Sequence, residues 1–154
     1  MQTAKDIMTT PVISVTEEKT IQDVIDLIAK NNFSGVPVVN ENNEVIGIIS
    51  DTDIIRYSHE TSIVPLTNLS GWVSPYADLS DLATMRKGLE SLHRSRVSKV
   101  MTRKIYKVKE DDPVTEVARL MNRRRINRLP VVDNDDKLIG IVTRADLVQC
   151  MASM

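Results

Sequence analysis

The sequence is short of cysteine, of aromatics and of long apolar runs, and each shortage removes a class of protein. Its single cysteine, Cys150, excludes an intrachain disulfide and a zinc quartet. Aromatics make up 3% of the residues, too few to interleave with basic side chains as a stacking surface for nucleic acid. No window approaches the roughly 20 apolar residues of a membrane span. Met1 to Asp6 carry no apolar signal region. An excess of one charge is missing too: the formal net charge is -1, so the chain as a whole lacks the basicity of a nucleic-acid binder. His59 and His93 stand without metal-ligand spacing, so no metal site is expected. Cys150 has no Cys/His constellation around it, and no glycine-rich loop is found, so no catalytic residue and no catalytic cofactor are expected. These readings predict a cytoplasmic protein with no membrane partner.

What the sequence does have is a repeat. Residues 4–55, shifted by 93, align without a gap on 97–148, with identities at 13 positions: Met8, Thr9, Val15, Glu17, Val24, Leu27, Pro37, Val38, Val39, Ile46, Gly47, Ile48 and Asp53. The stretch that organises each copy is Gly47-Ile48-Ile49-Ser50-Asp51-Thr52-Asp53, which returns as Gly140-Ile141-Val142-Thr143-Arg144-Ala145-Asp146. Its apolar residues suit a buried strand. The hydroxyl residue suits a helix N-cap, with aspartate at the third helical position. A strand running into a helix start exposes unpaired N–H groups and the positive end of the helix dipole, which makes it a candidate anion site.

The other elements follow from periodicity. Short extended pieces are expected at Val12 to Val15 and Ile105 to Val108. Ile21, Val24, Ile25 and Ile28 have helical spacing, as do Val114, Val117, Leu120 and Met121. Asp112-Pro113 reads as a cap followed by proline at the first helical position. Val36 to Val39 turns through Glu41-Asn42-Asn43 into Val45 to Ile49. Leu129 to Val132 turns through Asp133-Asn134-Asp135-Asp136 into Leu138 to Val142. The last helix of each copy starts at Ser50 or Thr143. The fold class is thus α+β, a β-α-β-β-α unit present twice and packed as a pseudo-twofold pair. The expected organisation is repeat one at 1–57, a connector at 58–96 and repeat two at 97–154. Within the connector, Thr61 to Tyr76 reads as structured and includes Pro65, Gly71, Trp72 and Pro75. Asp78 to Arg96 reads as a helix whose Leu82, Met85, Leu89 and Leu92 form a narrow seam, interrupted by Gly88, that packs on its own domain.

These features together resemble the cystathionine β-synthase (CBS) domain, and their duplication resembles a CBS pair, or Bateman module. The residues that carry the resemblance are Asp6-Ile7-Met8-Thr9, the Val-Pro-Val-Val strand with Pro37, the Leu-Pro-Val-Val strand with Pro130, and the two Gly-x-x-Ser/Thr-x-x-Asp segments. Pairs of this family bind adenosine-containing ligands in clefts between their two copies. The resemblance therefore implies a non-enzymatic regulatory module that senses an adenine nucleotide (AMP, ADP or ATP). It also implies a homodimer built through the last helices of the copies, near Ile54, Ile55, Leu147 and Val148.

It further implies the site. Asp53 and Asp146 would accept from ribose hydroxyls, since a carboxylate has two oxygens for two adjacent donors. Ser50 and Thr143 would lie beside ribose or phosphate. The Asp53 cleft would be completed by Lys104, Ile105, Tyr106, Ile126, Asn127 and Arg128, whose cations suit phosphate. The Asp146 cleft would be completed by Thr10, Pro11, Val12, Ile13, Phe33, Ser34 and Gly35, with Arg144 nearby on the helix start. Both hydroxyl–aspartate pairs also read as plain capping boxes, and the two roles are compatible. Arg119, Arg123, Arg124 and Arg125 read as a solvated helix end that favours cations. Three other readings stay open: a sensor of S-adenosylmethionine or another adenosyl ligand, a nucleic-acid regulator working through the basic face, and an enzyme fragment such as the regulatory insert of a nucleotide dehydrogenase. Lys104 and Arg128 weigh against a cationic ligand, and the lack of aromatics weighs against nucleic acid.

Overall fold

The computed structural model describes residues 1–60 and 79–154. The elements run α1 (Ala4–Ile7), β1 (Val15–Thr16), α2 (Ile21–Asn31), β2 (Gly35–Val39), β3 (Val45–Ser50), α3 (Asp51–Glu60), α4 (Leu79–Arg94), α5 (Val97–Val100), β4 (Val108–Lys109), α6 (Val114–Arg124), β5 (Arg128–Val132), β6 (Leu138–Thr143) and α7 (Arg144–Ala152). The strands form two three-stranded sheets, ordered β1-β2-β3 and β4-β5-β6. Two similar β-α-β-β-α repeats are therefore present, each introduced by a four-residue helix, α1 or α5.

The local chemistry is duplicated with the sequence. Helices α2 and α6 both end on a residue in the left-handed region, Asn32 at φ 55° and Arg125 at φ 54°. Both hairpins turn through the same region, at Asn43 (φ 60°) and Asp136 (φ 63°). Asparagine and aspartate tolerate it because their short polar side chains bond locally. Asn40 Oδ1 accepts from the N–H groups of Asn42 and Glu44 at 3.0 and 2.9 Å. Asp133 Oδ1 accepts from those of Asp135 and Lys137 at 2.9 and 3.0 Å.

The chain divides into two compact units. The first comprises 1–14, 37–47 and 103–154. In it β4 runs parallel to β5 and β5 antiparallel to β6, with Pro130 opposite Ile141. Val108, Val117, Met121, Leu129, Val131, Val142 and Ala4 make a buried core, so a residue of the N-terminal helix sits inside the second repeat. The main chain confirms this placement. Ala4 N–H donates to Asp112 O at 2.8 Å, Lys5 N–H to Glu110 O at 3.0 Å, and Thr9 N–H to Ile141 O at 2.8 Å. Lys5 adds an ion pair to Glu110 at 3.0 Å. Gly140 suits this arrangement, because a β-carbon there would overlap the Met8 side chain and force it to shift. The hairpin tips of the two repeats also meet here: Val39 and Val45 pack on Val132 and Leu138, Asn43 Nδ2 donates to Leu138 O at 3.0 Å, and Lys137 Nζ to Asn42 O at 2.7 Å.

The second unit comprises 15–36 and 48–102, and repeats the exchange with the roles reversed. Val97 N–H donates to Lys19 O at 2.8 Å, Ser98 N–H to Glu17 O at 3.1 Å, and Thr102 exchanges main-chain bonds with Ile48 at 2.8 and 3.0 Å. These are the first unit's contacts displaced by 93 residues. Val15, Ile21, Val24, Ile49, Leu92, Val97 and Val100 are buried. Helix α4 packs on α2 and α5 on α3.

Several expectations are corrected. The first strands are two residues long and start later than read, at Val15 and Val108, because only there do they reach a ladder. Asp112 does not cap α6. Pro113 is the N-cap, in extended backbone, and the Asp112 carboxylate instead accepts from Lys109 N–H at 2.8 Å. Ile54 is buried, and Leu147 packs on the first unit's core, so only Ile55 and Val148 of the four helix residues face outward. The reading of Thr61 to Tyr76 lies outside the described residues, as do the side chains of Leu82 and Met85. Among the described residues, no helix is long and apolar enough to cross a membrane.

Candidate functional site

Each junction is built by the capping chemistry expected of it. Asp53 Oδ2 accepts from Ser50 N–H at 2.9 Å and Ser50 Oγ at 3.0 Å. Asp146 Oδ2 accepts from Thr143 N–H at 2.8 Å and Thr143 Oγ1 at 3.0 Å. One carboxylate oxygen in each copy is thus spent on holding the helix start, and the other decides what the junction can do.

The second oxygens differ. Asp53 is 5% exposed, and its Oδ1 accepts a 2.7 Å hydrogen bond from Thr102 Oγ1, with Arg56 Nη1 at 3.4 Å. Among the described residues Asp146 Oδ1 has no partner. The position matching Thr102 is Thr9, whose hydroxyl leaves Asp146 alone although its main chain is paired with Ile141. The position matching Arg56 is Gln149, which brings no charge.

The remaining predicted residues fall into three groups. Around the Asp146 junction, Arg144 N–H donates to Asn127 O at 3.0 Å, Arg144 Nε to Ile126 O at 3.2 Å, and Arg128 stands opposite Thr143 in the ladder. Thr10 and Pro11, joined by a cis peptide bond, follow directly on Thr9. Around the Asp53 junction, Asp51 N–H donates to Ser34 O at 2.9 Å, between half-buried Phe33 and buried Gly35. A third group is partly engaged in packing. Val12 and Ile105 lie against the hairpin-tip cluster, Tyr106 lies against the first unit's core with the Arg124 guanidinium 4.8 Å above its ring, and Ile13 and Lys104 are exposed. Of the neighbouring arginines, Arg119 is ion-paired with Glu116.

Thr102 and Arg56 were not among the residues singled out from sequence. A signal for Thr102 existed: Thr9 and Thr102 are an identical pair just before the segments assigned to the clefts. Arg56, one turn beyond Asp53, had no counterpart in the other copy to draw attention to it.

Comparison with known proteins agrees with this architecture. The CBS domain family matches at residues 4–60 and 97–153. A Methanocaldococcus jannaschii protein, MJ1426, is 36% identical over 151 residues, covering 96% of this chain and 89% of its own. The chloroplastic CBS domain-containing protein CBSX2 of Arabidopsis thaliana is 28% identical over 136 residues, 84% of this chain but 54% of the relative. The crystal structure of CBSX2 in complex with AMP superposes with a TM-score of 0.74 at 25% identity, covering 100% of this chain and 99% of that one. The CBS domain pair of MJ0100, solved with 5′-methylthioadenosine and S-adenosyl-L-methionine, superposes with a TM-score of 0.68 at 25% identity over 97% and 99% of the two chains.

Proposed function

This chain belongs to the CBS domain family, as a tandem pair. From that premise we propose that it is a non-enzymatic regulatory module that binds an adenine nucleotide at its strand-to-helix junctions. One observation carries the reading. Asp146, at the start of α7, keeps a carboxylate oxygen without a hydrogen-bond partner among the described residues, beside an N-terminal helix dipole. A nucleoside diol offers the adjacent hydroxyl donors this carboxylate lacks. AMP in the structure of CBSX2 supports the ligand class.

In this reading Thr143, Thr10, Pro11, Val12, Ile13 and Arg144 line the nucleoside bound at Asp146. Arg128, opposite Thr143 in the ladder, supplies a cation for phosphate. The adenosyl ligands of the MJ0100 pair support a second reading, a sensor of a thioether or sulfonium nucleoside. The same carboxylate would serve, without the need for cations. The exposed Ile55 on α3 (67%), and Val148 (64%) and Met151 (71%) on α7, suit contact with a second copy. Ligand binding would then bias a partner protein only to the extent that it favours one arrangement over another.

Thermal shift against adenosine, AMP, ADP, ATP, 5′-methylthioadenosine and S-adenosylmethionine tests both readings, with light scattering on the same samples. At 100 times Kd a ligand selective for the folded state adds about 2.7 kcal/mol of stability. For a chain of this size that raises Tm by roughly 5–10 °C. AMP, ADP or ATP should give the largest shift, on a dimer. A larger shift with S-adenosylmethionine than with any phosphorylated ligand would favour the second reading. No shift with any of them would refute both.

A further inference from the structure

We infer that the two junctions are not equivalent receptors: the Asp146 junction takes ligand first, and the Asp53 junction is latched by the Thr102 hydroxyl. This rests on the function proposed above and says which half of the pair performs it. The argument is one of available acceptors. A diol that binds a carboxylate through two hydroxyls needs lone pairs on the oxygen that is not holding the helix cap. In the second repeat that oxygen is unengaged among the described residues. In the first it already accepts the Thr102 hydroxyl at 2.7 Å and faces the Arg56 guanidinium at 3.4 Å.

Thr102 cannot drift aside to make room. Its N–H donates to Ile48 O at 2.8 Å and its carbonyl accepts from Ile48 N–H at 3.0 Å, so the residue is pinned to β3. Only rotation of its side chain releases Asp53, and that rotation forfeits a charge-assisted hydrogen bond to a buried carboxylate. Thr9 is pinned to Ile141 in the same manner, at 2.8 and 3.3 Å, yet its hydroxyl makes no bond to Asp146. The two hydroxyls occupy the same place in the repeat, and among the described residues one is engaged while the other is not. Arg56 reinforces the latch, and Gln149 has no charge with which to do the same. In effect Thr102 is a built-in substitute for one ligand hydroxyl.

Isothermal titration calorimetry of the full chain with AMP, repeated with adenosine, tests this. The wild type should show one tight site per chain. Asp146→Asn, which keeps an acceptor for the cap, should abolish that site while circular dichroism shows an unchanged fold. Thr102→Val keeps the shape and deletes the hydroxyl. It should strengthen the second site about tenfold or more, the worth of a hydrogen bond to a charged acceptor, so that stoichiometry rises to two in the same concentration range. Thr102→Ser, which restores the hydroxyl, should return it to one. Loss of the tight site in Asp53→Asn with its retention in Asp146→Asn would overturn the inference and leave the proposed function standing. So would Thr102→Val titrating like the wild type. A wild-type chain that binds neither AMP nor adenosine would remove the inference together with the reading beneath it.

Discussion

Asp53 and Asp146 occupy the same position in a duplicated unit, and the two junctions differ in what reaches the second carboxylate oxygen. Both carboxylates hold a helix start through one oxygen. Only Asp53 is also held through the other, by Thr102 and Arg56. The difference teaches that an identical motif fixes the fold of a junction without fixing its availability. What a motif can bind depends on whether neighbours outside it have already satisfied its acceptors.

The strongest way to break the comparison is to remove each carboxylate in turn. In Asp53→Ala the buried Ser50 hydroxyl and N–H lose their acceptor and Thr102 loses its partner. A cost of about 3 kcal/mol is expected from stranded buried donors, against about 1 kcal/mol for Asp146→Ala, which loses a cap alone. Urea denaturation of the two variants measures the gap, and equal costs would mean that the Thr102 contact contributes nothing to stability.

A second test loosens the N-terminal segment that lies along the Asp146 junction. Gly140→Ala drives a β-carbon into the Met8 side chain. About 1–3 kcal/mol of destabilisation should follow from overpacking. Met8→Ala in the same chain should recover part of it, a coupling that a double-mutant cycle detects. Strict additivity would show that the two residues do not share this contact.

The smallest effect concerns the middle helices, which also differ between the copies. Helix α2 has a full capping box, whereas α6 starts at Pro113 with no side-chain cap. The N–H and the hydroxyl of Thr20 hold the Asp23 carboxyl below the usual carboxylate range. A lowered folded pKa contributes stability that is present above the unfolded value of about 4 and is lost as pH falls through the folded value. Asp23→Asn should therefore lower Tm by roughly 1–2 °C at pH 7, as an exposed cap allows. The difference should close in strong acid. A gap that widened on acidification would assign the effect to something other than the Thr20 bonds.

Much of this molecule could be read from the chain. The β-α-β-β-α order, the hairpins and the capping boxes follow from the 93-residue repeat and from apolar periodicity, which local chemistry obeys. The misreadings have a common source. Val12 reads as strand because it is β-branched, but it packs on the hairpin tips and no ladder partner reaches it. Asp112-Pro113 reads as a cap, but the carboxylate finds Lys109 N–H first. Thr102 matters through a side chain 49 residues away, Asp53, and the identical pair Thr9 and Thr102 marks the position without announcing that contact. Periodicity reports which face is buried, whereas competition for a particular donor is settled only by tertiary geometry.

The exchange of introductory segments has a consequence for synthesis. Ala4 is wholly buried in a core completed by Leu129, Val131 and Val142. On the ribosome α1 therefore has no seat until Leu129, Val131 and Val142 have followed it. The early repeat must wait in the same way for Val97 and Val100, the residues that fill its own core position for position. The first repeat cannot close as it is made, and the second closes on a segment made long before it, a high-contact-order route that is slow and leaves apolar edges exposed meanwhile.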